Sequence, residues 1–181
     1  MEEKLIVAHG GYRTLKSYQA TTLIYDLTFV FCAKFVRDHR LCDQMIHAAR
    51  SGRQNIAEGC QASGTSKKTE LKLVNVARAS LEELLIDYED FLRQRILAQW
   101  NKDGPDALKV RALAWQENRS SETYKSYLAT SGSAANAAIC LIHQANYLLD
   151  RQLDALANAF LEQGGFTERL YQMRRRRQNA G

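Results

Sequence analysis

Apolar positions between residues 12 and 37 recur at alternating steps of three and four: Leu15, Tyr18, Thr22, Tyr25, Phe29, Cys32 and Val36. Leu23, Leu27, Phe31 and Phe35 widen that line into a broad stripe. Residues three and four apart stack on one side of an α-helix, so the pattern predicts a long helix with one wide buried flank. At ~1.5 Å per residue such a rod spans roughly 40 Å and needs partners of similar length.

Three further stretches supply those partners. Over residues 41–60, Leu41, Met45, Ala48, Ala49 and Ile56 mark an inner side, and Ser51-Gly52 marks a bend or a close contact. Gly59 and the polar run from Gln61 to Ser66 predict its end, with Thr65 or Ser66 as the N-cap of a third helix. That helix is predicted over 67–100 from Leu71, Val74, Ala77, Leu81, Leu85, Tyr88, Leu92 and Ile96. A fourth is predicted over 133–163 from Ala138, Ile142, Ala145, Leu149, Leu153, Leu156 and Phe160, ending at Gly164-Gly165. Residues 101–132 are less regular: Gly104-Pro105-Asp106 punctuates, 107–115 reads as helix and 122–128 as a short helical turn.

The predicted architecture is all-α. It is an antiparallel up-down four-helix bundle over residues 8–165, with 101–132 inserted as a cap before helix four. Residues 166–181 follow as a basic tail, helical to about 178, and an open helical array is the alternative arrangement. With 181 residues, ten Gly and a single Pro, Pro105, the chain suits one helical domain better than a many-turned β fold. Cys32, Cys42, Cys60 and Cys140 form no Cys-x-x-Cys pair and read as small buried apolar residues of a reducing cytosol. The acidic start Met1-Glu2-Glu3-Lys4 lacks the basic flank of a secretory signal, and the most apolar window, 18–36, holds Asp26 and Lys34. The expectation is a cytoplasmic protein with no membrane span.

Charge changes the picture through its location. The net charge is +5, and residues 165–181 hold five Arg against one Glu, leaving the rest of the chain almost balanced. A globally basic coat for nucleic acid is therefore absent from the sequence, and any such surface must be local.

Catalytic signatures are lacking. A bundle core that houses two metals uses paired Glu-x-x-His motifs, and none occurs in this chain. Asp43 and His47 lie one helical turn apart, as do Cys140 and His143, without a second matched pair for either. There is no Gly-x-Ser-x-Gly elbow, phosphate-binding loop or dinucleotide fingerprint. The chain is expected to be no enzyme and to carry no metal or other cofactor; a metal or small-molecule enzyme is the weakest of the readings.

The most distinctive stretch is 44–59, where small residues that let helices approach closely alternate with Arg50, Arg53, Asn55 and Glu58. Its counterpart is Ala77-Arg78-Ala79-Ser80-Leu81-Glu82-Glu83-Leu84, and an Arg78–Glu58 pair across a tight interface is the structural expectation, with direct ligand binding as the alternative. Asn55-Ile56-Ala57-Glu58-Gly59, preceded by Gln44, Ala48-Ala49 and Ser51 and followed by Ala77-Arg78, Ser80-Leu81 and Glu83-Leu84, resembles a bacterial family. That family consists of the four-helix-bundle proteins encoded in intervening sequences of large-subunit ribosomal RNA genes. The accessory variability proteins of diversity-generating retroelements are similar to it. The resemblance covers residues 12–95, about half the chain, and rests most specifically on the Asn-Ile-Ala-Glu-Gly run.

The resemblance implies an up-down bundle that assembles as a ring-like homopentamer with no known enzymatic activity. In the retroelement relatives a basic surface binds RNA and the partner reverse transcriptase. This chain departs from the pattern in three places. Ile46 and His47 stand where basic residues follow the Gln, Gly52 replaces an apolar β-branched residue, and the link before helix four is long. The departures bear on the nucleic-acid surface more than on the fold.

Basic residues available for a patch are Arg37, Arg40, Arg50 and Arg53 on and before helix two, Lys67, Lys68 and Lys72 opening helix three, and Arg174, Arg175, Arg176 and Arg177 in the tail. Phosphate binding needs several such cations converging on one face. Arg50 and Arg53 share a face by spacing, and lysines at a helix N-terminus oppose its dipole, so they serve something other than helix stability. The sequence thus predicts a non-enzymatic oligomeric interaction protein with RNA or DNA as ligand of a basic surface. The alternative is a protein–protein adaptor whose insertion or tail docks a partner such as a reverse transcriptase. The wide apolar arcs exceed what four helices bury, which predicts subunit contacts in a homo-oligomer.

Overall fold

The computed structural model describes residues 5–6, 8–114, 116 and 121–179, and among these it contains helices and no strand. The helices are α1 (Lys16–Phe35), α2 (His39–Ala62), α3 (Lys67–Gln94), α4 (Pro105–Leu113), α5 (Ser131–Gln163) and α6 (Phe166–Asn179). Short 3-10 segments occupy Tyr12–Thr14 and Ser121–Ala129. α1 packs on α2 and α5, and α3 packs on the same two neighbours from the other side. α4 and the 121–129 segment lie on α5. α6 buries no residue and packs substantially on no other helix.

Local chemistry sets the helix starts. The Asp38 carboxylate accepts from the Arg40 and Leu41 amides at the head of α2, and Thr130 accepts from Ser133 at the head of α5. Of the two cap candidates for α3, Ser66 serves: its hydroxyl oxygen accepts from the Thr69 amide at 3.1 Å. Each such cap contributes about 1 kcal/mol. Pro105 opens α4 at a position where its missing N–H costs nothing.

The buried flank of α1 differs from the sequence expectation. Ser17, Thr21, Leu23, Ile24, Leu27, Thr28, Phe31 and Cys32 face the core, whereas Tyr18, Thr22, Tyr25 and Val36 are half-buried and Phe29 is 56% exposed. Threonine explains the rotation. Thr21 and Thr28 donate their hydroxyls to the Tyr18 and Ile24 carbonyls, at 3.0 and 2.7 Å, so the polar atom is satisfied within the helix and the methyl packs as an apolar group. Inside, Phe31 meets the Tyr88 and Phe91 rings edge-on at 4.9 and 4.8 Å.

Gly59, which reads as punctuation, is an interior helix position, as is Gly52. α2 continues through Gly59 to Ala62, and a Cβ at Gly59 would stand 3.3 Å from the Glu70 carbonyl oxygen and the Leu73 Cβ, so this glycine lets α3 approach closely. At Gly52 a Cβ would fall 2.9 Å from Leu81 Cδ2, so this glycine marks a close contact between α2 and α3.

α3 ends earlier than its apolar spacing predicts. The chain leaves the helix after Gln94, and Ile96 adopts φ 56° with its side chain 95% exposed, so it lies outside the core. The cause sits on α5. Buried Asn136 accepts from the Trp100 amide at 2.7 Å and donates to the Ala98 and Gly132 carbonyls, both at 2.9 Å, which captures residues 98–100 as extended chain. α4 begins at Pro105, two residues before its predicted start, and the end predicted at Trp115 lies outside the described residues.

Candidate functional site

The motif stretch forms a polar seam between α2 and α3. Ser51 and Ser80 share a hydroxyl–hydroxyl bond of 2.9 Å, and the Asn55 amide nitrogen donates to the Ser51 carbonyl at 2.9 Å and to its hydroxyl at 3.1 Å. Asn55 thus steadies Ser51, while Gly52 and Gly59 permit the close approach. Every one of these groups serves packing within the chain.

The expected Arg78–Glu58 pair does not form. Ala77 faces the core, and the next position turns ~100° away, toward α5. Arg78 instead reaches Glu82 at 2.7 Å and Asp150 at 3.1 Å, and Glu58 is exposed. Burial works to lower the Arg78 pKa, but the bonds and charges of Glu82 and Asp150 outweigh it and raise the pKa. The residue clips α3 to α5.

The candidate cations divide into separate groups. Arg37 and Arg40 are exposed around the start of α2, and Lys68 and Lys72 are exposed in the opening turns of α3, just past the end of α2. α2 has 24 residues, so these two groups stand about 36 Å apart along its axis. Between them Arg50 is exposed, whereas Arg53 is half-buried with its guanidinium 4.4 Å from the Tyr25 ring centre, in the seam with α1. The face that spacing gives Arg50 and Arg53 is therefore divided. Lys67 is engaged by Glu70 at 2.9 Å.

Contacts place the later turns of α5, which lead into α6, at the Lys68 end. The Gly10 amide donates to the Cys60 carbonyl, and Cys60 Sγ–H donates to the Gly10 carbonyl, tying the segment before α1 to the end of α2. Ser17, at the start of α1, donates to the Gln152 side chain of α5 at 2.7 Å. The last turns of α5, and α6 after them, therefore follow from the end of the molecule where α3 begins. On α6, Arg174, Arg175, Arg176 and Arg177 are all exposed. Successive helical residues turn ~100°, so the run encircles the helix instead of forming one face. Phe166, Leu170 and Met173 make a half-buried apolar line, and Tyr171 is 65% exposed.

The second half of α3 is acidic, although Arg78 pairs with Glu82 and Arg93 with Asp90. Glu82, Glu83, Asp87, Glu89 and Asp90 crowd the second half of α3, and the Asp87 pKa is raised by burial first and then by Glu83 and Asp90. This acidic stretch is plain in the sequence, and counting basic residues alone passes over it.

No group of three His, Cys, Asp or Glu among the described residues is placed to hold a metal, and Asp43 and His47 are both exposed. Burial, then Cys42, pushes the Cys32 thiol far up; burial also raises Cys140 against the opposing pull of Arg111. Thiols held protonated in this way are poor nucleophiles. No helix among the described residues is long and apolar enough to cross a membrane. No protein-family model, curated protein or solved structure matches this chain.

Proposed function

We propose that this chain is an oligomeric helical-bundle interaction protein that binds structured nucleic acid, RNA foremost, through the basic end formed by α6 and the start of α3. The observation that carries the reading is α6 itself. It is a helix with four consecutive exposed arginines, largely free of packing, following from the end that exposes Lys68 and Lys72. Arginines that encircle a helix suit phosphates approaching from several sides, as in a groove or a folded loop, and affinity then comes from released counterions. Arg37 and Arg40, at the other end of α2, lie outside this surface.

The up-down arrangement belongs to the same proposal. It is supported by α2–α3 contacts that fall earlier in α3 as they move later in α2, Gly52 against Leu81 and Gly59 against Glu70. Arg78 of α3 meets Asp150 of α5, while Trp100, just past the end of α3, meets Asn136, the same reversed order. Self-association is supported by large apolar side chains left outward on three different helices: Phe29, Ile86 and Tyr147. A five-fold ring is the form the resemblance suggests, and it would multiply weak contacts by avidity.

The direct test compares binding of a structured RNA by the full chain and by a chain lacking residues 166–181, at several salt concentrations. Salt-dependent binding that disappears with the tail supports the reading, and equal binding by both chains overturns it. A second reading, an adaptor for a protein partner, is favoured by the apolar line Phe166, Leu170 and Met173 on the same helix. It predicts that a stoichiometric protein co-purifies from the native host and is lost with the tail, with no affinity for RNA.

A further inference from the structure

A cleft of about 240 Å³ lies on the opposite side of α5 from α1, where the capture of residues 98–100 brings the α3–α4 connection over α4 and α5. It is lined by Gln99, Trp100 and Lys102 of the connection, Arg111 of α4, and Ile139, Cys140 and exposed His143 of α5. The walls are held largely by backbone bonds, and the Gln99 side chain donates to the Glu89 carboxylate at 3.2 Å. Asn136 fixes the Trp100 amide, the turn 101–104 closes through the Gly104 amide on the Asn101 carbonyl at 2.9 Å, and α4 seats on α5 through buried Ala107 and Val110. Arg111 donates to the Lys102 carbonyl and has Asp103 at 3.9 Å, a loose pairing. No carboxylate among the described residues pairs with Lys102 or His143. Lys102, Arg111, an imidazole and the half-buried indole of Trp100, which rests edge-on against Tyr127, therefore line one small space.

We propose that this cleft binds a mononucleotide. The phosphate is held by Lys102 and Arg111, and the base lies against Trp100 over Ile139 and Cys140. Guanidinium and ammonium groups recognise phosphate through charge-assisted hydrogen bonds, and an indole face offers a stacking surface that any base can use. The volume sits below the ~300–1,000 Å³ of drug-sized pockets, which fits one ring system with one phosphate and excludes a dinucleotide within the cleft. The site is built from residues 99–111 and α5. It is separate from α6 and stands or falls independently of the RNA reading.

Isothermal titration of the full chain with adenosine 5′-monophosphate tests it. The expected result is saturable binding of one nucleotide per chain, with adenosine and inorganic phosphate each weaker by at least tenfold. Lys102→Gln and Arg111→Gln each weaken binding by about tenfold or more, consistent with loss of a charged hydrogen bond. Trp100→Leu weakens it while leaving the backbone bond to Asn136 in place, and Arg13→Gln, before α1 at the other end of the bundle, leaves it unchanged. A 5′-phosphorylated tetranucleotide that displaces the nucleotide assigns the site to strand ends, and one that fails to displace it assigns the site to free nucleotides; either supports the cleft. Absence of saturable binding at millimolar nucleotide overturns the proposal. Equal affinity for adenosine, or for the Lys102→Gln and Arg111→Gln chains with helical content intact, overturns it too.

Discussion

Tyr88 of α3 donates its phenolic hydrogen to the Thr28 hydroxyl of α1 at 3.0 Å, in the middle of the core, and Thr28 passes its own hydrogen to the Ile24 carbonyl at 2.7 Å. The relay makes the two substitutions unequal. Tyr88→Phe removes one net hydrogen bond and leaves Thr28 satisfied, at a cost of about 0.5–1.5 kcal/mol. Thr28→Val strands the buried Tyr88 hydroxyl and costs more, about 1–3 kcal/mol. Urea denaturation of both variants checks the order.

The contact of Gly52 with Leu81 predicts a strong coupling. Gly52→Val drives new atoms into Leu81 Cδ2 and overpacks the seam, destabilising by about 1–3 kcal/mol. Leu81→Ala alone leaves a cavity and costs about 2–5 kcal/mol. Together they relieve one another, so the double variant falls short of the sum by about 1 kcal/mol or more. A double-mutant cycle of unfolding free energies measures this directly.

Asn136 holds the chain between α3 and α4 with two hydrogen bonds, to the Trp100 amide and the Ala98 carbonyl. Asn136→Ala leaves the Trp100 amide and the Ala98 carbonyl without this partner and destabilises by about 1–3 kcal/mol. Hydrogen exchange at the Trp100 amide accelerates accordingly, more than at amides in the middle of α3.

Asp87 predicts a pH effect. Its folded pKa lies above the ordinary carboxylate value, from burial and then from Glu83 and Asp90. Between the two values the folded chain holds the extra proton, so this residue's contribution to stability is lost as pH rises through the window just above the ordinary carboxylate range. Asp87→Asn removes that loss, part of which is the two like-charge pairs at i,i+4 and i,i+3, each worth ~0.2–0.5 kcal/mol. The variant is more stable than the parent at pH 7, and the two curves converge below about pH 4. Thermal melts across that range report the difference.

The sequence carried the all-helical class and most element bounds, because 3.6-residue periodicity and capping residues such as Ser66 act locally. Its failures share a cause in tertiary context. Thr21 and Thr28 are buried because their hydroxyls find carbonyls one turn back, which hydropathy counts against them. Gly59 looks like a stop until the Glu70 backbone is seen against it. Residues 95–100 keep a helical apolar spacing, and only Asn136, 36 residues past Trp100, shows why the helix ends. The candidate cations were readable one by one, but their separation along α2 was not, since spacing on one helix says nothing of where the next one begins.

Binding of structured RNA as a function of salt, by the full chain and by the chain carrying Arg174→Gln, Arg175→Gln, Arg176→Gln and Arg177→Gln, tests the central claim most directly. Each phosphate contact contributes ~0.7–0.9 to the slope of log affinity against log salt, so loss of four arginines flattens that slope by about 3 and weakens binding at low salt. An unchanged slope, or no salt-dependent binding by the parent chain, contradicts the account.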